Sequence, residues 1–173
     1  MRVLMVCGSL QSGSSNLALL RSAAAGAPAG VEVVEFDGIR HLPAFDPDLE
    51  KQGEVASVAA WRRAIAAADG LMIACPEYGY GMPGSLKNAI DWVIGSGELA
   101  GKAVAITAAV PDPERGKLAL AALTTTLGAV TAVVVGGRTI VKGPESSSAA
   151  QALMAELVGV IGRQQSMASG EPG

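Results

Sequence analysis

Residues 3–24, VLMVCGSLQSGSSNLALLRSAA, contain the pattern that decides the fold. The apolar run Val3–Cys7 has the length and composition of a strand that is buried on both faces. A loop rich in glycine and serine follows it. An alanine- and leucine-rich helix is then predicted over about 15–26, with Ser14 or Ser15 as its N-cap. This order of strand, loop and helix is typical of the first unit of a parallel α/β sheet.

The same alternation continues along the rest of the chain. The apolar runs of strand length are Val3–Cys7, Val31–Phe36, Leu71–Ala74, Ala103–Thr107 and Val130–Val135. Segments of helix length lie at about 15–26, 54–68, 83–95, 114–127 and 147–163. Because β-α-β crossovers are right-handed, this order covers both faces of a sheet with helices. We therefore expect a single-domain α/β fold of the flavodoxin-like kind, a doubly wound five-stranded parallel sheet with strand order 2-1-3-4-5.

Composition limits the classes of function. The 173 residues suit one domain, and half of them are hydrophobic while 17% are charged, which excludes a disordered chain. We place the domain at 1–163 and expect a disordered tail at 164–173. The net charge of −3, without a basic block, argues against nucleic acid or an anionic membrane surface as a partner.

Targeting signals and paired cysteines are not evident. Apolar stretches such as Ala103–Val110 are much shorter than the roughly 20 residues of a membrane-spanning helix. Residues 1–7 fit a buried strand better than a signal peptide. Cys7 and Cys75 form neither a zinc pattern nor a disulfide framework. We expect a cytoplasmic protein with two inert thiols, a redox pair being the alternative.

The loop Gly8–Asn16 is the first candidate for ligand binding, because ligands of doubly wound sheets bind beyond the carboxyl ends of the strands. Its nine residues include two glycines and four serines but no lysine or arginine, so it is not a P-loop. It also lacks the Gly-x-Gly-x-x-Gly pattern of dinucleotide sites. Backbone N–H groups at a helix N-terminus, with neutral hydroxyls beside them, suit a terminal phosphate monoester. The alternative is a serine-rich turn that only caps a helix.

The loop Cys75–Gly84 is the second candidate, since both tyrosines of the chain lie in it. Tyrosines on a rigid glycine- and proline-rich loop suit the wall of a planar ligand. Gly79 and Gly81 would let backbone groups approach a ring. The alternative is a tight turn whose tyrosines cover the helix below. The long connection Asp37–Gly53 is also expected to line a site.

The longest shared motif is Pro76–Trp92, PEYGYGMPGSLKNAIDW, and with it the chain resembles the NADPH-dependent FMN reductase family. That flavodoxin-like group includes chromate, quinone and azo-dye reductases. Shorter matching motifs are Gly8-Ser9-Leu10, Ser14-Ser15-Asn16 and Leu42–Asp48 (LPAFDPD). The similarity in layout extends over about residues 1–160.

The resemblance implies two sets of cofactor-binding residues and no catalytic side chain or metal, because the flavin carries the chemistry. The FMN phosphate would be held by Ser9, Gln11, Ser14, Ser15 and Asn16. The isoalloxazine would be edged, largely by backbone groups, by Pro76, Glu77, Tyr78 and Gly79. On the following helix, packing or subunit contacts are expected for Lys87, Asn88 and Asp91. A loop-fixing carboxylate is the preferred interpretation of Glu77, and a surface position that of His41.

Three positions depart from the family pattern. Gln11 stands where the family usually has arginine, so one charge-assisted phosphate contact is missing. Gly79 replaces the usual asparagine beside the ring. The loop 108–116 begins with Ala108–Pro111 instead of small polar residues and glycines, so the resemblance does not carry over flavin edge contacts there.

By resemblance, the expected activity is that of an FMN-dependent NAD(P)H oxidoreductase. Hydride from NADPH or NADH, which the sequence does not distinguish, would pass through FMN to a quinone, flavin, azo compound or metal oxyanion in a ping-pong cycle. The expected partners are this small-molecule acceptor and a second or further copies of the chain, as a homodimer or homotetramer. Two alternatives stay open: an electron carrier of the flavodoxin type, and a binding module on the same fold without flavin.

Overall fold

The structure, a computed structural model, describes residues 1–53 and 55–170. Its strands are β1 (Arg2–Cys7), β2 (Glu32–Phe36), β3 (Gly70–Ala74), β4 (Ala103–Val110) and β5 (Val133–Val141). Its α-helices are α1 (Ser15–Ala25), α2 (Pro47–Gln52), α3 (Ala56–Ala66), α4 (Gly84–Asp91), α5 (Lys117–Ala129) and α6 (Ser146–Ser169). A 3-10 helix, Gly38–His41, follows β2.

The five strands form one parallel sheet in the order β2-β1-β3-β4-β5, which confirms the predicted fold class. Every residue of β3 is buried, as expected of a central strand covered on both faces. One core contains Trp61, Leu86 and Leu123 from α3, α4 and α5. The core on the other face contains Leu20 from α1 and Leu153 from α6. Because all five strands are parallel, their carboxyl ends lie at one edge of the sheet, where the predicted loops are.

The fifth strand differs from its predicted bounds, 130–135, because it continues beyond a pair of glycines. Gly136 and Gly137 both have positive φ, +77° and +80°, and the register with β4 shifts between Ile106 and Thr107. Glycine adopts this left-handed conformation without a Cβ penalty. The two glycines therefore accommodate a register shift at the point where the sequence predicts the end of the strand. Pairing then resumes at Arg138, and β4 reaches Val110 rather than Thr107.

The last helix is also longer than predicted. It runs through Ser169, so residues 164–169, assigned to the tail, are helical. Gln164 donates to the carbonyl of Gly101 at 3.0 Å, and Gln165 donates to the carboxylate of Asp69 at 3.0 Å. These polar residues make the segment look like a tail in sequence, yet they fasten the helix to loops at the amino edge of the sheet. Residues 171–173 lie outside the described residues.

The long connection after β2 contains the 3-10 helix and α2, neither of which was predicted. Its middle is fastened to α4: the side chains of Asn88 and Trp92 both donate to the Pro43 carbonyl, each at 2.8 Å. Asn88 also accepts the N–H of Phe45 at 2.7 Å, and the Phe45 ring packs edge-on against Trp92. This confirms the packing role expected of Asn88. Among the described residues, no helix is long and apolar enough to cross a membrane.

We predict that Asn88→Ala lowers the free energy of unfolding by about 1–3 kcal/mol, because it leaves the Phe45 N–H without its acceptor and removes a donor to Pro43. Urea unfolding followed by circular dichroism measures this loss. Lys87→Ala is the control on the same helix, since it removes only the ion pair with Asp91 on the surface and should cost about 0–1 kcal/mol. Equal losses in the two variants would contradict the prediction.

Candidate functional site

Two loops leave the carboxyl edge of the sheet side by side. The Gly8 N–H donates to the Ala74 carbonyl at 2.8 Å, one residue beyond the end of β1. The Cys75 N–H donates to the Thr107 carbonyl, also at 2.8 Å, one residue beyond the end of β3. Strand pairing thus fixes the first residue of each loop, and it does so through backbone groups alone.

We call residues 8–16 the serine loop and residues 76–81 the tyrosine turn. The hydroxyls of Ser9 and Tyr78 lie 3.2 Å apart and form a hydrogen bond between them. Pro76 is buried, and its Cδ lies 3.3 Å from the point where a Cβ on Gly8 would be. This contact joins the two loops at Ser9 and Tyr78, two of the residues predicted to bind the cofactor.

The serine loop ends in a capped helix. The Ser14 hydroxyl accepts the N–H of Leu17 at 3.4 Å, which confirms Ser14 as the N-cap of α1. The first N–H groups of a helix have no acceptor inside it, so they point out of its amino end. Gln11, Ser12 and Ser15 are exposed around that end. The arrangement presents neutral donors and a positive helix end to an anion.

Other polar side chains of the loop are buried and hold its shape. The Ser9 hydroxyl accepts the N–H of Gln11 at 3.3 Å. Asn16 is only 6% exposed, and its Oδ1 accepts the N–H of Ala109 at 2.9 Å. That bond ties the start of α1 to β4, 93 residues further along the chain. These contacts are structural, and binding of a phosphate by the same residues stays a prediction.

The tyrosine turn is a two-residue reversal. The N–H and the carbonyl of Tyr78 both pair with Gly81, at 3.0 and 3.1 Å. Gly79 and Tyr80 between them have φ of +57° and +64°, the left-handed conformations of a type I′ turn. Tyr78 is 55% exposed and Tyr80 79% exposed. Rings this exposed do not cover the helix below, and their role as the wall of a ligand site stays a prediction.

Glu77 caps a helix from outside it. One oxygen of its carboxylate accepts the N–H groups of Leu118 and Ala119, at 3.0 and 3.2 Å. These are the first-turn amides of α5, whose own N-cap, Gly116, has no side chain to offer. The negative charge also faces the positive end of the helix dipole. The carboxylate therefore fixes the loop, as preferred from the sequence, rather than facing a ligand as an acid.

The Cys75 thiol belongs to the buried core. Cys7 and Cys75 are both free cysteines, and Cys75 is fully buried. Burial, reinforced by the nearby Glu77 and Cys7, raises the pKa of the Cys75 thiol to about 12. The thiol therefore stays protonated at neutral pH and is a poor nucleophile. Within residues 1–53 and 55–170, no group of histidine, cysteine and carboxylate side chains could hold a metal.

One cation near the serine loop does not follow from the sequence motifs. The Arg40 guanidinium, in the 3-10 helix after β2, donates to the Leu10 carbonyl at 3.2 Å. The predicted strand order could have placed Arg40 there, because β2 pairs with β1 and the segments that follow these two strands are neighbours. The third loop is shorter than expected: residues 108–110 belong to β4, and Arg115 is exposed.

We predict that Glu77→Ala destabilises the fold by about 1–2 kcal/mol, because two amides of α5 lose a charged acceptor. Glu77→Gln keeps an acceptor oxygen without the charge and should lose less. Urea unfolding compares the two with Glu114→Ala, which removes only an exposed pair with Lys117. A Glu77→Ala variant no less stable than Glu114→Ala would show that the cap contributes nothing.

We predict that Cys75 resists iodoacetamide at pH 8 in the folded protein and reacts in urea. With a pKa of about 12, roughly one thiol in ten thousand is ionised at that pH, and burial also blocks access. Reactivity should rise only as the pH approaches 12, where the folded thiol loses its proton. Peptide mass spectrometry locates the label, with Cys75→Ser as the reference. Rapid labelling of Cys75 in the native state would be the opposite result.

Comparison with known proteins places these loops in a family context. A quinone reductase from Escherichia coli (strain K12) is 41% identical over 109 residues, 61% of this chain and 58% of the relative. An NAD(P)H-dependent FMN reductase from Pseudomonas aeruginosa is 44% identical over 91 residues, 53% of this chain and 49% of the relative. The match thus spans about half the length of these curated relatives.

A solved structure agrees over a larger share of the chain. The flavoenzyme NAD(P)H:acceptor oxidoreductase from Paracoccus denitrificans is 25% identical, with a TM-score of 0.81 over 94% of this chain and 97% of its own. The model of the family described as NADPH-dependent FMN reductase matches residues 1–144, which include the serine loop and the tyrosine turn. This chain therefore belongs to the NADPH-dependent FMN reductase family.

Proposed function

We propose that this protein is an FMN-dependent NAD(P)H oxidoreductase. It takes hydride from NADPH or NADH and reduces a quinone, flavin, azo compound or metal oxyanion in a ping-pong cycle. The observation that carries the proposal is the Ser9–Tyr78 contact, which joins a cradle of neutral donors to an exposed aromatic turn. Family membership and the names of the relatives support the same activity.

The residues present fit FMN at both ends. The serine loop has no charged side chain, and nothing lies within 4 Å of the point where a Cβ on Gly13 would stand, so an anion can approach the amino end of α1. The space beside Gly79 is equally open, so a planar ring can come close to the backbone there. The phosphate would be held by Ser9, Gln11, Ser14, Ser15 and Asn16, and the ring would be edged by Pro76, Glu77, Tyr78 and Gly79.

The chain's own part in the reaction is positioning. FMN supplies the chemistry when bound, since its ring accepts hydride from a reduced nicotinamide and passes it on. Tyr78 uses both its N–H and its carbonyl inside the turn. We therefore assign the contacts with the ring edge to the backbone of Glu77 and Gly79, and the wall to the Tyr78 ring. The Glu77 carboxylate is engaged with α5, so proton transfer is left to solvent.

Absorbance spectroscopy of the purified protein, before and after FMN is added, tests the proposal. Under anaerobic conditions, flavin bands that bleach with NADPH or NADH are the expected result. Bands that persist would instead favour an electron carrier of the flavodoxin type. Failure to bind FMN would overturn the proposal and favour the binding module without flavin.

We also propose that the protein is a cytoplasmic homodimer or homotetramer. Multi-angle light scattering tests the oligomeric state, and cell fractionation tests the location.

We predict that Ser15→Asp weakens FMN binding at least about tenfold. The substitution places a carboxylate at the exposed first turn of α1, where the phosphate dianion would bind. The two negative charges would then be neighbours and would repel each other. The fold should be unaffected, because an acidic residue at a helix amino end is favourable. Quenching of FMN fluorescence measures the Kd, with Ser15→Asn as the uncharged control. Unchanged affinity in Ser15→Asp would move the phosphate site elsewhere.

A further inference from the structure

Arg40 reaches the serine loop because of the strand order. β2 pairs with β1, with Phe36 facing Val6, so the segments after the two strands emerge next to each other. The Arg40 guanidinium then donates to the Leu10 carbonyl at 3.2 Å. A groove of about 60 Å³ between the two segments has Gln11, Ser12 and Arg40 in its walls. The cation therefore borders the proposed phosphate cradle although it lies 29 positions after Gln11 in the sequence.

The backbone that carries Arg40 is firmly held. Ile39, its neighbour in the 3-10 helix, is only 3% exposed, and this helix packs against α3 and α4. Gly38 allows the close approach of the Phe36 ring, since a Cβ there would lie 2.6 Å from a ring carbon. The Leu42 N–H closes the turn on the Ile39 carbonyl at 3.4 Å. A fixed backbone with an exposed guanidinium is suited to ligand contact, because little ordering remains to be done on binding.

The charges around Arg40 leave its guanidinium available. Glu35 lines the same groove but is already paired with Arg21 by two hydrogen bonds, at 2.9 and 3.0 Å. Asp37 also lines the groove. In the part of the chain that the structure describes, the ion pairs within 4 Å do not include Arg40. The serine loop itself contributes no charge, since Gln11 is neutral.

We infer that Arg40 supplies the cationic contact to the FMN phosphate that Gln11 does not. This inference rests on the proposed function, because it concerns the same cofactor. A phosphate dianion binds best where a guanidinium adds charge-assisted hydrogen bonds to neutral donors. In this chain the loop after β2 provides the guanidinium and the loop after β1 provides the hydroxyls and amides. The purely structural alternative is that Arg40 only props up the Leu10 carbonyl.

Paired titrations with FMN and riboflavin separate the two roles, because riboflavin has the same ring and lacks the phosphate. Binding is measured by fluorescence quenching, independently of turnover. Arg40→Gln should weaken FMN binding about tenfold and leave riboflavin binding within about twofold, while Arg40→Lys should retain most of the FMN affinity. Arg163→Gln is the matched control, since it also removes an exposed arginine. Arg163 lies on α6, two residues after Ile161, and Ile161 packs against Gly70 at the opposite edge of the sheet.

A second-site variant makes the test sharper. Adding Gln11→Arg to Arg40→Gln should restore FMN affinity, because either residue can place a guanidinium at the same cradle. An FMN affinity unchanged in Arg40→Gln, or an equal loss for both flavins, would overturn the assignment while leaving the proposed function intact. A wild-type protein that binds neither flavin would overturn both. Circular dichroism verifies that each variant is folded.

Discussion

The site depends on where the backbone pairing of the sheet stops. β1 lies between β2 and β3, and its last hydrogen bond, from Gly8 to Ala74, sets the point at which the serine loop turns away. The bond from Cys75 to Thr107 does the same for the tyrosine turn. Parallel strands place their carboxyl ends at one edge, so segments far apart in sequence converge there. Strand pairing thus brings the two loops together, and side chains such as Ser9 and Tyr78 then contact each other directly.

Polar side chains at this edge are divided between holding the scaffold and facing solvent. The side-chain oxygen of Asn16 accepts a hydrogen bond from a backbone amide of β4, and that of Glu77 accepts two from backbone amides of α5. In the described part of the chain, no buried side-chain nitrogen or oxygen lacks a hydrogen-bond partner. Gln11, Ser12 and Ser15 remain exposed at the amino end of α1. A loop whose buried polar groups are satisfied can keep its shape before a ligand arrives, which lowers the cost of binding.

The fold was predictable because its signals are local and repeated. Continuous apolar runs of strand length locate four of the five strands to within a few residues. Their alternation with helices predicts a single parallel sheet. The errors lie where a local signal opposes a distant contact. Gly136 and Gly137 indicate a strand end, yet pairing with β4 carries the strand past them. Gln164 and Gln165 indicate a tail, yet their amides bind the loops at Gly101 and Asp69.

The candidate site shows the same division. The motifs predict Ser14 as an N-cap and place the two loops next to each other. The Glu77 cap joins residues about 40 positions apart, and the Arg40 contact joins residues about 30 positions apart. No local pattern predicts either contact.

The tyrosine turn shows how a departure from the family pattern can leave a backbone unchanged. Gly79 has φ +57°, a conformation that glycine and asparagine both adopt readily. Replacing the usual asparagine by glycine therefore keeps the type I′ turn and removes only a side chain. Tyr80 has φ +64°, which costs a non-glycine residue about 1–2 kcal/mol. The two backbone hydrogen bonds between Tyr78 and Gly81 close the turn around it. Packing does not account for this strained conformation, since the Tyr80 ring is exposed and covers little of this chain.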